Sequence, residues 1–205
     1  MHIAVSGNIG SGKTTLTEKL AKHYGWKAEF EAVDNNPYLA DFYEDMKRWS
    51  FHLQVYFLNS RFNQIRTIQE SKTPTIQDRT IYEDASIFAA NLYKSQLLTE
   101  RDYENYQSLF TSMVAHVKAP DLLIYLKADI PKLVGQIEKR GRSYETTMRI
   151  DYLKNLNTHY EEWIAGYTEG KLLIIDVNNL DFVENPDDFS LVVEKIEREI
   201  FGLFS

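Results

Sequence analysis

The sequence contains no cysteine in 205 residues, which excludes disulfide bonds, zinc–thiolate sites and thiol nucleophiles. It also lacks long hydrophobic runs: aliphatic stretches such as Leu172 to Ile175 fall far short of the ~18 residues that a membrane span needs. The chain starts with a short apolar run, His2 to Val5, and shows neither the basic segment nor the apolar core of a secretory signal. We therefore expect a cytoplasmic protein that does not enter a membrane.

Basic residues are in the minority, with 23 Lys and Arg against 30 Asp and Glu and a formal charge of −7. Such a chain is a poor candidate for wrapping nucleic acid, because that binding gains from a basic surface. A small anionic ligand must instead be bound by a local cluster of Lys and Arg. Hydrophobic residues make up 43% and charged residues 26%, which is ordinary for a globular protein. The length fits a single domain, expected over residues 1–205.

Short apolar segments alternate with long amphipathic ones, which predicts an α/β fold with helices on both faces of a parallel sheet. Five strands are expected, at Ile3–Ser6, Ala28–Val33, Thr75–Asp78, Leu122–Lys127 and Leu172–Val177. Helices are expected at Lys13–Tyr24, Asp45–Glu70, Tyr82–Leu98, Asp102–Lys118, Ile130–Lys139, Tyr152–Ala165 and Phe189–Phe201. Asp129 is the candidate N-cap of the fifth helix, and Pro131 follows in its first turn.

The segment after the first strand carries the most specific motif of the chain. It matches G-x-x-x-x-G-K-[ST] at every fixed position and consists of Gly7, Asn8, Ile9, Gly10, Ser11, Gly12, Lys13 and Thr14, followed by Thr15. In this pattern backbone N–H groups surround phosphate oxygens, and the next helix directs its positive end at them. Lys13 is expected to reach the β- and γ-phosphates of ATP, and the Thr14 hydroxyl to bind Mg²⁺. The motif predicts a three-layer P-loop kinase fold and a triphosphate donor, ATP or GTP, without identifying the acceptor.

Charged residues at strand ends narrow the choice of acceptor. Glu31 is expected at the end of the second strand, on the edge that faces the ligand crevice of an open parallel sheet. A carboxylate there can take the proton of an attacking hydroxyl group. Asp78 and Arg79 end the third strand at the same edge, where they can bind Mg²⁺ and neutralise the transferring phosphoryl group. The alternatives are a solvated glutamate and a surface ion pair.

A basic cluster follows the fifth helix. Arg140 and Arg142 flank Gly141, and this pattern predicts a hinged lid, at about residues 139–150, that closes over the phosphates and excludes water. The alternative is a basic helix end that complements the helix dipole.

Taken together, these residues resemble the deoxynucleoside kinase family, in particular the bacterial deoxyadenosine/deoxyguanosine kinases. The resemblance extends over nearly the whole chain and is far more specific than the phosphate loop alone. The matching segments are Gly7–Thr15, Glu31 to Val33, Asn36 to Tyr38, Tyr43, Arg48 to Phe51, Gln54 to Arg61, Asp78 to Thr80, Asp84, Ile87 to Ala89, Arg140 to Arg142 and Asp151 to Leu153. The resemblance implies transfer of the ATP γ-phosphoryl group to the 5′-hydroxyl of a deoxynucleoside in nucleotide salvage. It also implies Mg²⁺ as cofactor and a homodimer to which the Tyr82–Leu98 region contributes.

The same resemblance implies a role for each matching residue. Glu31 would be the general base, and Arg79 would hold that carboxylate and the attacking oxygen. The other implied roles are charge stabilisation by Lys13, Arg140 and Arg142, Mg²⁺ binding by Thr14 and Asp78, 3′-hydroxyl binding by Tyr43 and Asp151, base recognition by Gln54, Arg61 and Asp84, and an aromatic wall at Phe88.

The spacing of the base-reading residues supports their implied role. Gln54 and Arg61 share one face of a helix, and a Gln amide can pair with the donor and acceptor edge of adenine or cytosine. An Arg61–Asp84 pair would be a donor array braced by a carboxylate. Family members with these residues favour purines or deoxycytidine over thymidine. The departures from the family pattern are Ala32 in place of a common proline, and Asp78 and Asp151 in place of common glutamates.

Two other functions remain open on the residues alone. A nucleoside-monophosphate kinase such as thymidylate kinase would use the same scaffold, but its acceptor phosphate needs a cation where this chain offers Glu31. A P-loop ATPase switch would need an effector surface and a water-positioning residue, and it would have no use for base-reading residues.

Overall fold

Five parallel strands form one sheet, and helices cover both of its faces. The computed structural model describes residues 1–31, 36–142 and 148–202. The strands are β1 (His2–Gly7), β2 (Lys27–Glu29), β3 (Thr75–Asp78), β4 (Leu122–Lys127) and β5 (Lys171–Asp176). The helices are α1 (Lys13–Tyr24), α2 (Leu39–Glu44), α3 (Met46–Glu70), α4 (Ile81–Glu83), α5 (Ala90–Lys94), α6 (Glu100–Val114), α7 (Ile130–Arg140), α8 (Ile150–Ala165) and α9 (Pro186–Phe201), and a π-helical turn (Asp84–Ala89) joins α4 to α5.

The strand order places a ligand crevice beside β1. The order is β2-β3-β1-β4-β5, and every neighbouring pair is parallel. The chain therefore runs to opposite sides of β1 in its first and second halves. Ligands of open α/β sheets bind at such a reversal, outside the carboxyl ends of the strands. Val5 of β1 lies opposite Asp78 of β3, so the phosphate loop and the end of β3 meet there.

Side chains of β1 alternate between two apolar layers. Ile3 and Val5 pack with Leu16 of α1 on one face, whereas Ala4 packs with Tyr160 of α8 on the other. All five side chains are fully buried. A strand covered on both faces is typical of a parallel sheet between helical layers, and the predicted α/β class is confirmed. In the described part of the chain, no helix has the length and apolar character to cross a bilayer.

The predicted helix Tyr82–Leu98 is helical from Ile81 to Lys94, but it contains a π-turn and ends four residues earlier than predicted. Its residues form α4, the π-helical turn and α5, and α5 ends at Lys94. The start is fixed by a capping box, in which Thr80 Oγ1 accepts from Glu83 N at 3.4 Å and Glu83 Oε2 accepts from Thr80 N at 2.8 Å. A π-turn inserts an extra residue into the helical repeat, which a search for 3.6-residue periodicity does not detect.

The second strand is shorter than predicted. Expected at Ala28–Val33, it pairs with β3 only over Lys27–Glu29, and residues 32 and 33 lie outside the described ranges. The last pair joins Glu29 to Gln77, one residue before β3 ends at Asp78, and the next residue, Arg79, has a left-handed φ of 72°. The six-residue α2 was also missed, whereas Thr75–Asp78, Leu122–Lys127 and Lys13–Tyr24 were predicted with both ends correct. Asp129 occupies the N-cap position of α7 without a side-chain capping bond.

Candidate active site

A cavity of about 420 Å³ opens at the carboxyl edge of the sheet, between the phosphate loop, α3 and the π-helical turn. This size lies within the usual range for small-molecule sites. The cavity wall brings together Ile9, Lys13, Thr14, Glu31, Tyr43, Gln54, Asp78, Arg79, Asp84, Phe88, Arg140 and Arg142 of the predicted site. Arg61 and Asp151 are not among the described residues of that wall.

The phosphate loop has a backbone that only glycine fits. Gly10 and Gly12 have φ values of 87° and 94°, in the region that side chains disfavour. A Cβ on Gly12 would lie 2.8 Å from Phe182 Cζ, and one on Gly10 would lie 2.7 Å from the Leu133 carbonyl oxygen. Gly12 is also the N-cap residue of α1, and as a glycine it has no side chain to cap the helix. The first N–H groups of α1 are therefore available to an anion.

The Asn8 side chain faces the protein interior. Its Nδ2 donates to the Leu153 carbonyl at 3.1 Å and to Asn157 Oδ1 at 3.2 Å. Asn8 is 2% exposed, so within the predicted ATP-binding loop its side chain anchors the loop to α8.

Lys13 is buried at the floor of the cavity. Its Nζ donates to the Asn8 carbonyl at 3.0 Å. Burial and, to a smaller extent, the Arg79 charge lower the pKa of Lys13 to about 8, although Asp78 and Glu31 act in the opposite direction. A phosphate group at this point would favour the charged form, so the site is short of negative charge where the donor phosphates are expected.

Thr14 and Asp78 form an oxygen pair beside the loop. Thr14 Oγ1 donates to Asp78 Oδ2 at 2.6 Å, and the buried Asp78 Oδ1 has no hydrogen-bond partner among the described residues. Mg²⁺ is usually bound by one or two protein oxygens together with phosphates and waters, and this pair fits that requirement. Across the described ranges no cluster of three or more His, Asp or Glu side chains forms a metal cage.

Glu31 lies two residues beyond the end of β2 instead of within the strand, which corrects its predicted placement. One oxygen, Oε1, contacts both Arg79 Nε at 2.9 Å and Arg61 Nη2 at 3.2 Å. The Arg79 contact is an ion pair whose angle falls outside hydrogen-bond geometry, since Arg79 Nε has no aligned acceptor among the described residues. Burial alone would raise the pKa of Glu31, but Arg79, Arg61 and Lys13 together lower it below its ordinary value. The carboxylate is therefore ionised and ready to accept a proton.

Arg79 is held on every side in a strained backbone conformation. Its φ of 72° is left-handed, which costs a non-glycine residue ~1–2 kcal/mol. Its guanidinium carbon lies 4.6 Å from the Phe88 ring centroid, and Nη1 donates to the Tyr160 hydroxyl at 2.6 Å. Tyr160 in turn donates to Glu83 Oε1 at 2.9 Å, and that oxygen also lies 3.4 Å from Arg79 Nη1. The strain is offset by a closed set of buried partners.

Arg61 lies behind the cavity wall, which differs from its predicted role in reading the base directly. Its Nη1 donates to the Asp78 carbonyl at 2.8 Å, and its Nε lies 3.5 Å from Asp84 Oδ2. Together with the contact to Glu31, these bonds leave Arg61 3% exposed. Spacing on the helix correctly put Gln54 and Arg61 on one face, but it did not show that a neighbouring carboxylate and carbonyl draw Arg61 inward.

Gln54 and Asp84 line the cavity away from the phosphate loop. Gln54 is 3% exposed, and its buried Oε1 has no hydrogen-bond partner among the described residues. Burial raises the pKa of Asp84 to about 7, although Arg61 acts against that shift. The Asp84 carboxyl group can therefore either donate or accept a hydrogen bond near neutral pH. These two groups offer polar contacts to a ligand that enters the cavity.

Asp151 is not placed with the other predicted residues. Asp151 is in the first turn of α8. Its side chain is 72% exposed, and its Oδ2 lies 3.6 Å from Arg149 Nη2. The next residue, Tyr152, lines the cavity instead. Arg140 and Arg142, which were predicted to belong to a lid, line the cavity, and residues 143–147 of that predicted lid lie outside the described ranges.

A model of the deoxynucleoside kinase family matches residues 3–201, nearly the whole chain. The chain belongs to the deoxynucleoside kinase family. It is 41% identical over 200 residues to the deoxyadenosine/deoxycytidine kinase of Bacillus subtilis (strain 168), covering 97% of this chain and 92% of that protein. It is 36% identical over 204 residues to the deoxyguanosine kinase of Lactobacillus acidophilus, covering 95% and 88% respectively. The structure of the deoxyadenosine kinase from M. mycoides, with products dCMP and a flexible dCDP bound, superposes with a TM-score of 0.86 at 30% identity, covering 96% of this chain and 99% of that one.

Membership of the deoxynucleoside kinase family confirms the resemblance seen in the sequence and the P-loop kinase fold. It also decides among the three functions that the residues left open, in favour of a nucleotide-dependent phosphotransferase that acts on a deoxynucleoside. Within this deoxynucleoside kinase, sequence reasoning missed Glu83 and Tyr160. Glu83 had a signal, because it lies four residues after Arg79 and completes the capping box. Tyr160 had none, since only the packing of α8 brings it to Arg79.

Proposed function

We propose that this kinase transfers the γ-phosphoryl group of Mg·ATP to the 5′-hydroxyl of a purine deoxynucleoside, deoxyadenosine or deoxyguanosine, and also accepts deoxycytidine. The names of the relatives support this range, because they act on deoxyadenosine, deoxycytidine or deoxyguanosine. ATP is the expected donor. Because ATP is present in the cytoplasm, we propose that the reaction takes place there.

The observation that carries the proposal is that Glu31 and Gln54 line the same cavity. Glu31 lies in the cavity wall with Lys13 and Arg79, and Gln54, whose buried Oε1 has no hydrogen-bond partner among the described residues, lines the same cavity. A buried acceptor without a partner costs ~1–3 kcal/mol, and an exocyclic amino group such as that of adenine would satisfy it. A deoxynucleoside that bonds Gln54 with its base would direct its sugar hydroxyl towards Glu31.

The reaction then follows from the charges around the transferred group. Glu31, kept ionised by its two arginines, accepts the 5′-hydroxyl proton as the oxygen attacks the γ-phosphorus in line with the leaving ADP oxygen. Lys13 and Arg79, with Arg140 and Arg142 from the lid, stabilise the charge that develops on the phosphoryl oxygens. Thr14 and Asp78 would hold Mg²⁺, which would supply neutralisation of the negative charge on the donor phosphates. Most of the catalysis is positioning and electrostatics, and no covalent intermediate is needed.

Two further roles belong to this proposal. Tyr43 lines the cavity and is proposed to bind the sugar 3′-hydroxyl. A homodimer is proposed through the concave surface around Tyr82, Phe110 and Trp163, in agreement with the expected contribution of the Tyr82 region. Sedimentation of the wild type beside Phe110→Glu measures this directly, since the charge should shift the dimer towards monomer, and a monomeric wild type contradicts it.

A steady-state panel tests the function. Initial rates of ADP release are measured with Mg·ATP and each of deoxyadenosine, deoxyguanosine, deoxycytidine, thymidine and deoxyadenosine monophosphate. The highest kcat/KM is expected for a purine deoxynucleoside, with thymidine and the monophosphate far below. A higher kcat/KM for the monophosphate, or a rate of ATP hydrolysis that does not depend on any acceptor, would overturn the proposal.

A further inference from the structure

The segment that carries Glu31 is not held by the sheet. The β2–β3 ladder ends with Glu29 opposite Gln77, and Phe30 and Glu31 belong to no strand. Phe30 is 43% exposed, so apolar packing contributes little to its position. A general base must nevertheless be held to within a fraction of an ångström.

A side-chain amide takes over where the ladder stops. Gln64 Nε2, on α3, donates to the Phe30 carbonyl at 2.8 Å and lies 3.3 Å from Glu29 Oε2. Gln64 thus replaces the missing strand partner at the residue that immediately precedes Glu31.

The same amide is bound from the other side. Gln64 Oε1 accepts from Gln77 Nε2 at 2.8 Å and from Arg61 Nη1 at 3.3 Å. An amide has two N–H donors and two acceptor lone pairs, and all four contacts of Gln64 are accounted for. Because Arg61 also contacts the Glu31 carboxylate, Gln64 touches both the backbone before Glu31 and one of its two arginine partners.

The direction of these bonds is set from the amino-terminal end of β1. His2 Nε2 and Gln77 Oε1 are 2.8 Å apart, and since the Gln77 amino group is used on Gln64, Gln77 Oε1 accepts and His2 donates. One chain of donors therefore runs from His2 through Gln77 and Gln64 to the Phe30 carbonyl. Chains of hydrogen bonds polarise one another and favour a single arrangement.

We propose that Gln64 is the positioning residue for Glu31, and this inference rests on the proposed function of Glu31 as general base. Gln64 does not line the cavity among the described residues, so it acts through Phe30 and Arg61 without contacting the acceptor. Its loss should affect the proton-accepting step and leave donor binding intact, because the phosphate loop has no bond to it among the described residues.

The test is a double-mutant cycle of Gln64→Met and Glu31→Gln, with Gln69→Met as the matched control. Gln69 is on the same helix and donates to the Lys118 carbonyl at 3.2 Å, and among the described residues it has no hydrogen bond to Phe30, Glu31 or Arg61. Gln64→Met should lower kcat with deoxyadenosine by ~10- to 100-fold, as expected for a displacement of about 1 Å. The KM for ATP should stay within ~2-fold in both glutamine variants. In the Glu31→Gln background, Gln64→Met should change kcat by less than ~2-fold, because Gln64 acts through Glu31. If the two residues acted independently, their effects would add in full.

Each outcome decides the point. If Gln64→Met lowers kcat equally in both backgrounds, Gln64 has a general structural role and the inference is wrong. If Glu31→Gln lowers kcat and Gln64→Met does not, the inference fails while the proposed function stands. If Glu31→Gln itself leaves kcat unchanged, the base assignment fails and the inference falls with it. Should Gln64→Met not fold, Gln64→Glu decides instead, because it keeps the bonds accepted from Gln77 and Arg61, loses those donated to Phe30, and should show the same loss of kcat.

Discussion

Replacing Glu31 by glutamine separates proton transfer from positioning in this site. Both arginines contact the same carboxylate oxygen, Oε1, with Arg79 Nε at 2.9 Å and Arg61 Nη2 at 3.2 Å. The amide oxygen of glutamine can occupy that position, accept from Arg61 and remain in contact with Arg79, while its amino group takes the place of Oε2. Glu31→Gln should therefore leave the side chain in place while it removes the basicity and the negative charge of the group.

The expected fall in kcat follows from the loss of general-base catalysis. General-base catalysis contributes ~10²- to 10⁴-fold, which corresponds to ~3–5 kcal/mol of transition-state stabilisation. The cations Lys13, Arg61 and Arg79 stay in place, so the electrostatic part of catalysis is kept. We expect kcat to fall by ~10²-fold or more, and the KM for ATP to change little.

The assay is initial-rate ADP release with saturating Mg·ATP and deoxyadenosine, after the fold is checked by circular dichroism. Glu70→Gln serves as the control, because it is the same substitution at a glutamate that is 69% exposed and paired only with Arg66 among the described residues. The control should keep its wild-type kcat. A folded Glu31→Gln enzyme with kcat within a few-fold of wild type would refute the reasoning.

Three further variants probe the partners of the catalytic groups. Arg61→Met removes a positive charge that lowers the pKa of Glu31, so the acid limb of kcat/KM should move to higher pH, and an unmoved or opposite limb contradicts that coupling. Tyr160→Phe leaves Arg79 without its 2.6 Å acceptor. The free energy of unfolding in urea should fall by ~1–3 kcal/mol, and kcat should also be lower. An unchanged midpoint of unfolding would mean that the Tyr160 hydroxyl does not stabilise Arg79. Gln54→Leu removes the buried amide that the base would bond, and the KM for deoxyadenosine should rise ~10-fold or more, whereas an unchanged KM would place base recognition elsewhere.

Much of this site could be predicted from the sequence because the information is local. The glycines and Lys13 of the phosphate loop follow a buried strand directly, and backbone geometry there leaves little freedom. Asp78 ends β3 and Arg79 follows it directly, and parallel strands bring their carboxyl ends to one edge. Residues placed by adjacency to a well-defined strand were placed correctly.

The remaining differences come from contacts between segments distant in sequence. Arg61 lies on the helix face that its spacing predicts, yet its depth is decided by Glu31, Asp78 and Asp84 from three other segments. Tyr160 reaches Arg79 across 81 positions of sequence, and no periodicity carries that information. The pairing of β2 with β3 also ends at Glu29, which the apolar run of β2 itself does not show.

The arrangement of charges also explains how one cavity can treat two phosphorylated molecules differently. Lys13 and Arg79 lie where the donor phosphates are expected, whereas Glu31 lies at the place proposed for the acceptor hydroxyl. An acceptor that already carries a 5′-phosphate would bring two negative charges against that carboxylate, whose pKa is held below its ordinary value by the neighbouring cations. Protonating Glu31 to relieve the repulsion is therefore costly, so we expect the cations that keep the base ionised to disfavour a monophosphate as the acceptor as well. After transfer, once Glu31 has released the proton that it accepted, the product phosphate would meet the same repulsion, which would favour its release.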